Sequence, residues 1–343
     1  MARRLAEVAK HVGVSQATVS RVLNDKPGIS DATRAAVLSA LDVLGYERPA
    51  KLRGDRARLV GLILPEMHDP IYPALAEIIA GALAKRGFSP VLCPRAGEDV
   101  TEADYLEILA DQHVSGIIFA SGAYQYTTAN HDQYAALRDR SLPVVLMNAT
   151  IPGLELPTVS TDDEHALEQA YGHLAALGHQ RIALLLGPHD HIASLRKLAA
   201  YRALLPAGAD HGLVLHAGFT MQEGQAAATT LLQSDATAII CATDALALGA
   251  VRAAKRAGRQ VPADVSIVGF DDSTLMTHTD PPLTTIRQPA AAMGQAAVAL
   301  LLAQIDGDTV SADEMLFEPE LVVRSSTGPA PAPARKAPAK PRR

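Results

Sequence analysis

Apolar residues recur in two different rhythms along this chain. Over the first 45 positions they fall at helical spacing. Leu5, Val8, Ala9 and Val12 share one face, Val19 and Val22 lie a turn apart, and Val37, Leu38, Leu41 and Leu44 line a third segment. Gly13 reads as the left-handed stop of the first helix and Gly45 as the close of the third. Ser15 and Ser30 stand where N-caps belong, with Asp31 in a first turn that favours negative charge. From residue 59 the rhythm becomes unbroken apolar runs: RLVGLILP, SPVLC, SGIIFAS, PVVLMNA, RIALLLG, ATAIICAT and VSIVGFDD. Amphipathic segments such as 74–86, 163–177 and 244–258 separate them. Continuous Val/Ile/Leu strands alternating with helices predict a parallel sheet covered on both faces. About ten strands exceed one compact sheet of this kind, so two doubly wound lobes are predicted. The fold class is therefore α/β, with an all-α headpiece in front.

The second short helix raises the first question of chemistry. Two helices that cross closely need a small residue at the crossing, a Gly in the turn and branched anchors beneath, which Ala9, Gly13, Val19 and Val22 supply. This spacing predicts a helix-turn-helix, and it leaves Gln16, Ala17, Ser20 and Arg21 projecting outward. Gln can bond an adenine edge twice, Arg can fork onto guanine and Ala can touch a thymine methyl. Ser15, Thr18 and Ser30, at helix N-termini, are suited to phosphates.

Charge sharpens this picture. The 343 residues carry a net charge of −6, which by itself argues against a nucleic-acid partner. Yet residues 1–58 hold +5 and the last nineteen another +5, leaving −16 for the middle. A basic head on an acidic body confines the polyanion-binding pattern to one end. Hydrophobic residues make up 48% and no apolar run of membrane-spanning length occurs. With no signal-peptide pattern at the start, a cytoplasmic location is expected, and Cys93 and Cys241 read as buried thiols. The domains predicted are a headpiece over 1–45, a linker over 46–58, a two-lobed body over 59–327, and a disordered Pro/Ala/basic tail over 328–343.

The run VAKHVGVSQATVSRVLNDKPGISDATRAAVLSALDVLGY resembles the DNA-binding headpiece of the LacI family of bacterial transcriptional regulators. The likeness continues through LAALGHQRIALLLGP, ATDALALGAVRAAKRAGRQVPADVSIVGFDD, PPLTTIRQP, AMGQAAV and ELVVRSST to about residue 327. It implies lobes of the periplasmic-binding-protein type. Matched by position, the family's base-reading residues fall on Gln16, Ala17 and Arg21, and its phosphate contacts on Ser15, Thr18, Ser20, Asn24, Ser30 and Thr33. Family members follow the headpiece with a short hinge helix whose Leu wedges into the minor groove. Here that stretch is YERPAKLR, with one extra residue before the Pro and no Asn. Leu52 is the wedge candidate with Arg53 beside it, and the alternative is a Leu packed on the body. GYERP…LRG, PALAEIIAGALAKRGFSPVLC and DPPLTTIRQPAAAMGQAAV resemble a narrower group within the family, actinobacterial repressors of maltose-utilisation genes.

Ligands of open α/β sheets bind at the carboxyl ends of strands. A sugar needs carboxylates and amides for its hydroxyls and a flat apolar face for its ring. Residues at the strand ends that fit are Asp69, Tyr72, Asn148, Phe219, Thr243, Asp244 and Asp271. Of these, Asn148, Phe219, Thr243 and Asp271 match effector positions of the family. The Arg that many members place four residues before an aromatic is here Lys197, with Arg196 preceding it; which of the two enters the cleft stays open. Asp272 reads as a turn residue. His189-Asp190-His191 could hold a metal, but further ligands nearby are lacking and no metal site is expected. No phosphate loop, dinucleotide fingerprint, nucleophile elbow or zinc-protease motif is present, and neither enzyme activity nor a cofactor is expected. The expected partners are a near-palindromic double-stranded DNA operator, a sugar effector of maltose or maltodextrin type, and a second copy of the chain, with no membrane. A sugar-binding module without operator recognition and a corepressor-dependent regulator are the alternatives.

Overall fold

The computed structural model describes residues 2–24, 26, 28–44, 58–95, 97, 100–206 and 213–331. Gly45, Leu52, Arg53 and the basic end of the tail lie outside the described residues.

Helices α1 (Ala2–Val12), α2 (Gln16–Leu23) and α3 (Asp31–Val43) close around a small core of Val8, Ala9, Val19, Val22, Val37, Ala40 and Leu41. Gly13 turns the chain with φ 74°, a value that costs a β-carbon-free residue nothing. The Ser15 hydroxyl accepts the Thr18 amide at 3.0 Å, and that of Ser30 the Thr33 amide at 3.2 Å. Both are N-caps in the expected places.

The body holds two six-stranded sheets among the described residues. In the first lobe β1 (Leu59–Leu64), β2 (Ser89–Pro94), β3 (Gly116–Phe119), β4 (Val144–Met147), β5 (Thr158–Thr161) and β11 (Glu314–Phe317) run in the order β2-β1-β3-β4-β5-β11, all parallel. In the second, β6 (Ile182–Leu186), β7 (Val214–His216), β8 (Ala238–Cys241), β9 (Ser266–Asp271), β10 (Thr284–Arg287) and β12 (Glu320–Val322) run β7-β6-β8-β9-β10-β12. Only β12 is antiparallel to its neighbour there. Helices α4 (Ile71–Ala84), α5 (Glu102–Asp111) and α6 (Asp132–Asp139) connect strands of the first lobe. Helix α7 (Asp163–Ala176) carries the chain from β5 of the first lobe to β6 of the second, where α8 (Ile192–Leu204), α9 (Met221–Leu231) and α10 (Asp244–Arg256) connect strands. Both faces of the first sheet are buried in separate apolar clusters, as parallel strands require.

The chain crosses between the lobes three times. It leaves the first lobe after β5, returns after β10 as α11 (Ala290–Asp306), and leaves again between β11 and β12. Met293, Ala297 and Leu301 of α11 fill the first lobe's core beside Leu75 and Ile79 of α4. Every carboxyl end of the parallel strands faces the junction that these crossings make. At the opposite end of the second lobe, His179 meets Thr237, Ser266 and the Gly328 carbonyl, and the Ala330 amide donates to the Leu177 carbonyl. Residues 328–330, assigned from the sequence to the tail, are thus bonded to the body. Cys93 and Cys241 are free and buried, and burial pushes the Cys93 thiol up to about 11.

Candidate functional site

Two surfaces carry the candidate chemistry. On α2, burial of Val19 and Val22 turns Gln16, Ala17 and Arg21 to solvent, so the three expected base readers share one exposed face. The Arg21 guanidinium reaches over Gly28, where a β-carbon would stand 3.3 Å from it. Phosphate candidates fall into two capped pairs. The hydroxyls of Ser15 and Thr18 are 2.9 Å apart and those of Ser30 and Thr33 2.8 Å apart, each at a helix N-terminus. The Asn24 amide donates to the Ser20 carbonyl at 2.8 Å and so closes α2.

The second surface is the cleft between the lobes. From the first lobe come Asp69 and Tyr72, after β1, and Asn148, after β4. Asp69 accepts the Ile71 amide at 3.3 Å. Asn148 adopts φ 64°, a conformation its short amide tolerates, and accepts the Thr161 amide at 3.2 Å. With Leu75, Met147, Gln288 and Met293, Tyr72 and Asn148 line a half-apolar notch. From the second lobe comes Asp271, at φ 120°, a strained conformation for a residue with a β-carbon. Its Oδ1 accepts from Gln288 Nε2 at 2.5 Å, while Oδ2 has no protein partner. Burial drives the Asp271 carboxyl well above the usual range, reinforced by Asp69 and Asp244. Tyr72 is likewise pushed up by burial and then by Asp271 and Asp69, a group from each lobe.

Lys197, not Arg196, points inward. Its ammonium pairs with Asp163 and lies 3.9 Å from the centre of the Phe270 ring. Arg196 places both terminal nitrogens on Glu314, at 2.7 and 2.9 Å, across the lobe boundary. Phe219 packs over Gly187, where any β-carbon would collide with its ring, and stands edge-on to His191 at 5.0 Å. Thr243 caps α10 by accepting the Leu246 amide. Asp244 faces the lobe's interior: its oxygens accept from Thr285 Oγ1 at 2.6 Å and the Ser273 amide at 3.2 Å. Burial lifts its carboxyl to about 7. Asp244 therefore joins α10 to β10 and the loop after β9, and both its oxygens are already occupied. Asp272 is held by Arg324 and Arg287 at 2.6 and 2.8 Å, in keeping with a turn residue.

Several cleft residues were not legible as such. Gln288 spans the junction, accepting from Thr161 Oγ1 at 2.9 Å and donating to Asp271. Tyr126 of the first lobe forms a β-bridge with His191 of the second, their rings 5.1 Å apart. Beside it the Thr127 amide donates to the Asp190 carbonyl at 2.9 Å and the Thr128 hydroxyl to its carboxylate at 2.6 Å. Asp190 and His191 thus fasten the mouth of the cleft, and among the described residues no cluster is placed to hold a metal. Among the described residues, four buried polar atoms lack protein partners: His191 Nδ1, Ser194 Oγ, Asp271 Oδ2 and Ser273 Oγ. Native interiors leave few such atoms unpaired, and these come from the start of α8, which follows β6, and from the end of β9 and the loop after it. Of the four, His191 and Ser194 stand beside the Phe219 ring, while Asp271 ends β9 and Ser273 lies just beyond it.

Burial pulls the His191 imidazole down to about 4, helped by the Lys197 ammonium. The neutral ring is the folded form, so between the unfolded value of 6.5 and 4 only the unfolded chain takes up the proton. Stability is then flat above pH 6.5 and falls as pH drops below it. Asp244, raised to about 7, acts in the opposite sense over the same range, so a variant comparison is needed to isolate the histidine. Between pH 7.5 and 5, wild type is expected to lose about 2 kcal/mol relative to His191→Gln in urea unfolding. A pH-independent difference between the two would place the imidazole in water.

The comparisons with known proteins agree with this arrangement. Residues 4–49 match the model of bacterial regulatory proteins of the lacI family, and residues 171–327 that of a periplasmic binding protein-like domain. The HTH-type transcriptional regulator MalR of Streptomyces coelicolor is 48% identical over 96% of this chain and 98% of its own. Among solved structures, a complex of the transcriptional regulator CelR with cellobiose matches at TM-score 0.69 and 33% identity, covering 94% of this chain and 99% of that one. The lac repressor dimer bound to operator and an anti-inducer matches at 0.68 and 29%, over 94% and 98%. With an outward-facing reading helix at one end and a two-lobed cleft at the other, the chain belongs to the LacI family of bacterial regulatory proteins and is a DNA-binding regulator of transcription.

Proposed function

We propose that the protein represses carbohydrate-utilisation genes and is released from a near-palindromic operator by a neutral sugar of maltose or maltodextrin type. The observation that carries this reading is the set of unpaired buried groups in the second lobe: His191 Nδ1 and Ser194 Oγ beside Phe219, and Asp271 Oδ2 and Ser273 Oγ at the end of β9 and just after it. A hydroxyl-rich ring supplies both donors and acceptors to such a set. The disaccharide bound by CelR and the likeness to maltose-utilisation repressors support the sugar class. In this reading Gln16, Ala17 and Arg21 read bases, while Ser15, Thr18, Ser20, Asn24, Ser30 and Thr33 hold phosphates. Asp69, Tyr72, Asn148, Lys197, Phe219, Thr243 and Asp271 surround the effector. The regulator acts as a cytoplasmic homodimer, each protomer supplying one headpiece to a half-site, and it carries out no catalysis.

Operator binding from a palindromic DNA pool, with and without maltose, maltodextrins and other sugars, tests the reading. Release by one of the glucans supports it. Tight binding that no sugar disturbs removes the sugar effector, and tighter binding in its presence makes the sugar a corepressor. Asp271→Asn is expected to leave operator affinity within about threefold while raising the sugar needed for half-release about 10- to 150-fold, the worth of a hydrogen bond to a charged group. Unchanged sugar response in that variant would remove Asp271 from the effector contacts.

A further inference from the structure

Each of the three crossings between the lobes carries a polar tie. At the first, Asp163 pairs with Lys197; at the second, Gln288 joins Thr161 to Asp271; ahead of the third, at the start of β11, Glu314 pairs with Arg196. Two of these ties end on consecutive residues of one helix, α8, whose first turns also carry His191 and Ser194. Successive helical residues point about 100° apart, so Lys197 and Arg196 leave α8 in different directions. One enters the cleft and the other reaches the edge strand β11 of the opposite lobe.

We propose that Arg196 and Glu314 form a strut that sets the balance between closed and open arrangements of the lobes, and so positions α8 for the effector. The proposal rests on the cleft being the effector site. The pair is a two-pronged fork, with Arg196 Nη1 and Nη2 at 2.7 and 2.9 Å from the two carboxylate oxygens. Such a fork has strict geometry and is lost when its partners shift by more than an ångström or so. Glu314 is itself anchored, its Oε1 also accepting the Ser160 hydroxyl of β5 at 2.5 Å. The side chains are 29% and 20% exposed, so solvent screens the pair less than it does most surface ion pairs. An ion pair inside one lobe is indifferent to lobe rotation. This one joins α8 of the second lobe to two strands of the first, and any rotation that separates α8 from β11 breaks it.

Arg196 is thus a positioning residue, and its test reads lobe separation directly. Spin labels at Glu107→Cys and Gln233→Cys, both exposed and on opposite lobes, report the distance in the full-length protein. Both labels are carried on one protomer of the dimer. Without any sugar, Arg196→Gln and Glu314→Gln are each expected to lower the ratio of short to long distances on the order of tenfold. The double variant should be no worse than either single one, because both remove the same contact. Arg196→Lys, which keeps the charge and loses the fork, should fall between. Thermal unfolding of each variant accompanies the distances. A lowered unfolding temperature with unchanged distances, or effects that add in the double variant, would overturn the strut. Maltose is then titrated into each protein, and the variants should need more of it by the factor that their closed fraction has lost. If maltose leaves the wild-type distances unmoved, the effector assignment fails, while the sugar-free comparison still decides the strut.

Discussion

Lys197→Met is expected to destabilise the protein by about 3–5 kcal/mol, read as a lower midpoint in urea, because it strands a buried carboxylate. Lys197 is 4% exposed and Asp163 8%. Asp163 opens α7 at the first crossing, and with the ammonium gone only solvent-poor surroundings remain for its charge. The loss is a large fraction of the 5–15 kcal/mol that holds a typical domain together. Lys197→Met with Asp163→Leu should recover most of it, since an apolar pair of similar volume carries no desolvation cost. A single-variant loss under about 1 kcal/mol would mean that water reaches the pair, contrary to its burial. The double variant also separates stability from response: a well-folded protein that ignores sugar would assign Lys197 to the cleft as well as to the fold.

Arg21→Ala is expected to relax operator selection at one base pair by roughly 1–3 kcal/mol, about 5- to 150-fold, and to change affinity for other sequences much less. Arg21 is exposed and lies outside the headpiece core, so its effect on selection is separable from folding by the operator panel. Ser15 and Ser30 hold the amides of Thr18 and Thr33, so their removal costs helix stability of about 1 kcal/mol alongside any lost phosphate contact. Asn24 has the same double duty at the end of α2. Binding to a panel of operators with single substitutions measures the effect. Equal weakening on every sequence, with a salt slope reduced by about one, would turn Arg21 into a phosphate contact.

The headpiece was legible because its signals are local. Caps, a left-handed Gly and valines at helical spacing act within a few residues, and each sits where the pattern put it. Seven strands of the lobes were legible as apolar runs, but β5, β7, β10, β11 and β12 were not: TVST of β5 carries a hydroxyl at three of its four positions yet is wholly buried beside β11. Cleft residues divide in the same way. Asp271 and Asn148 stand at strand ends that the sequence marks, whereas Gln288 and Tyr126 lie on connections whose neighbours come from the other lobe. Asp244 and Arg196 illustrate the limit from the opposite side. Both have the right chemistry for a sugar, and both are occupied by partners more than forty residues away in sequence, at Thr285 and Glu314.

The three crossings also dictate an order of events during synthesis. Residues 2–44 contain everything the headpiece core needs, so that unit is complete as soon as it clears the ribosome. The first lobe begins at β1 but lacks α11 and β11 until residue 317 has emerged, by which time the strands of its neighbour from β6 to β10 are already out. A nascent chain therefore owns a finished DNA reader long before it owns a finished sensor. Truncation anywhere between β10 and β11 would leave an intact headpiece on a body that cannot close, a reader with no means of being told to let go.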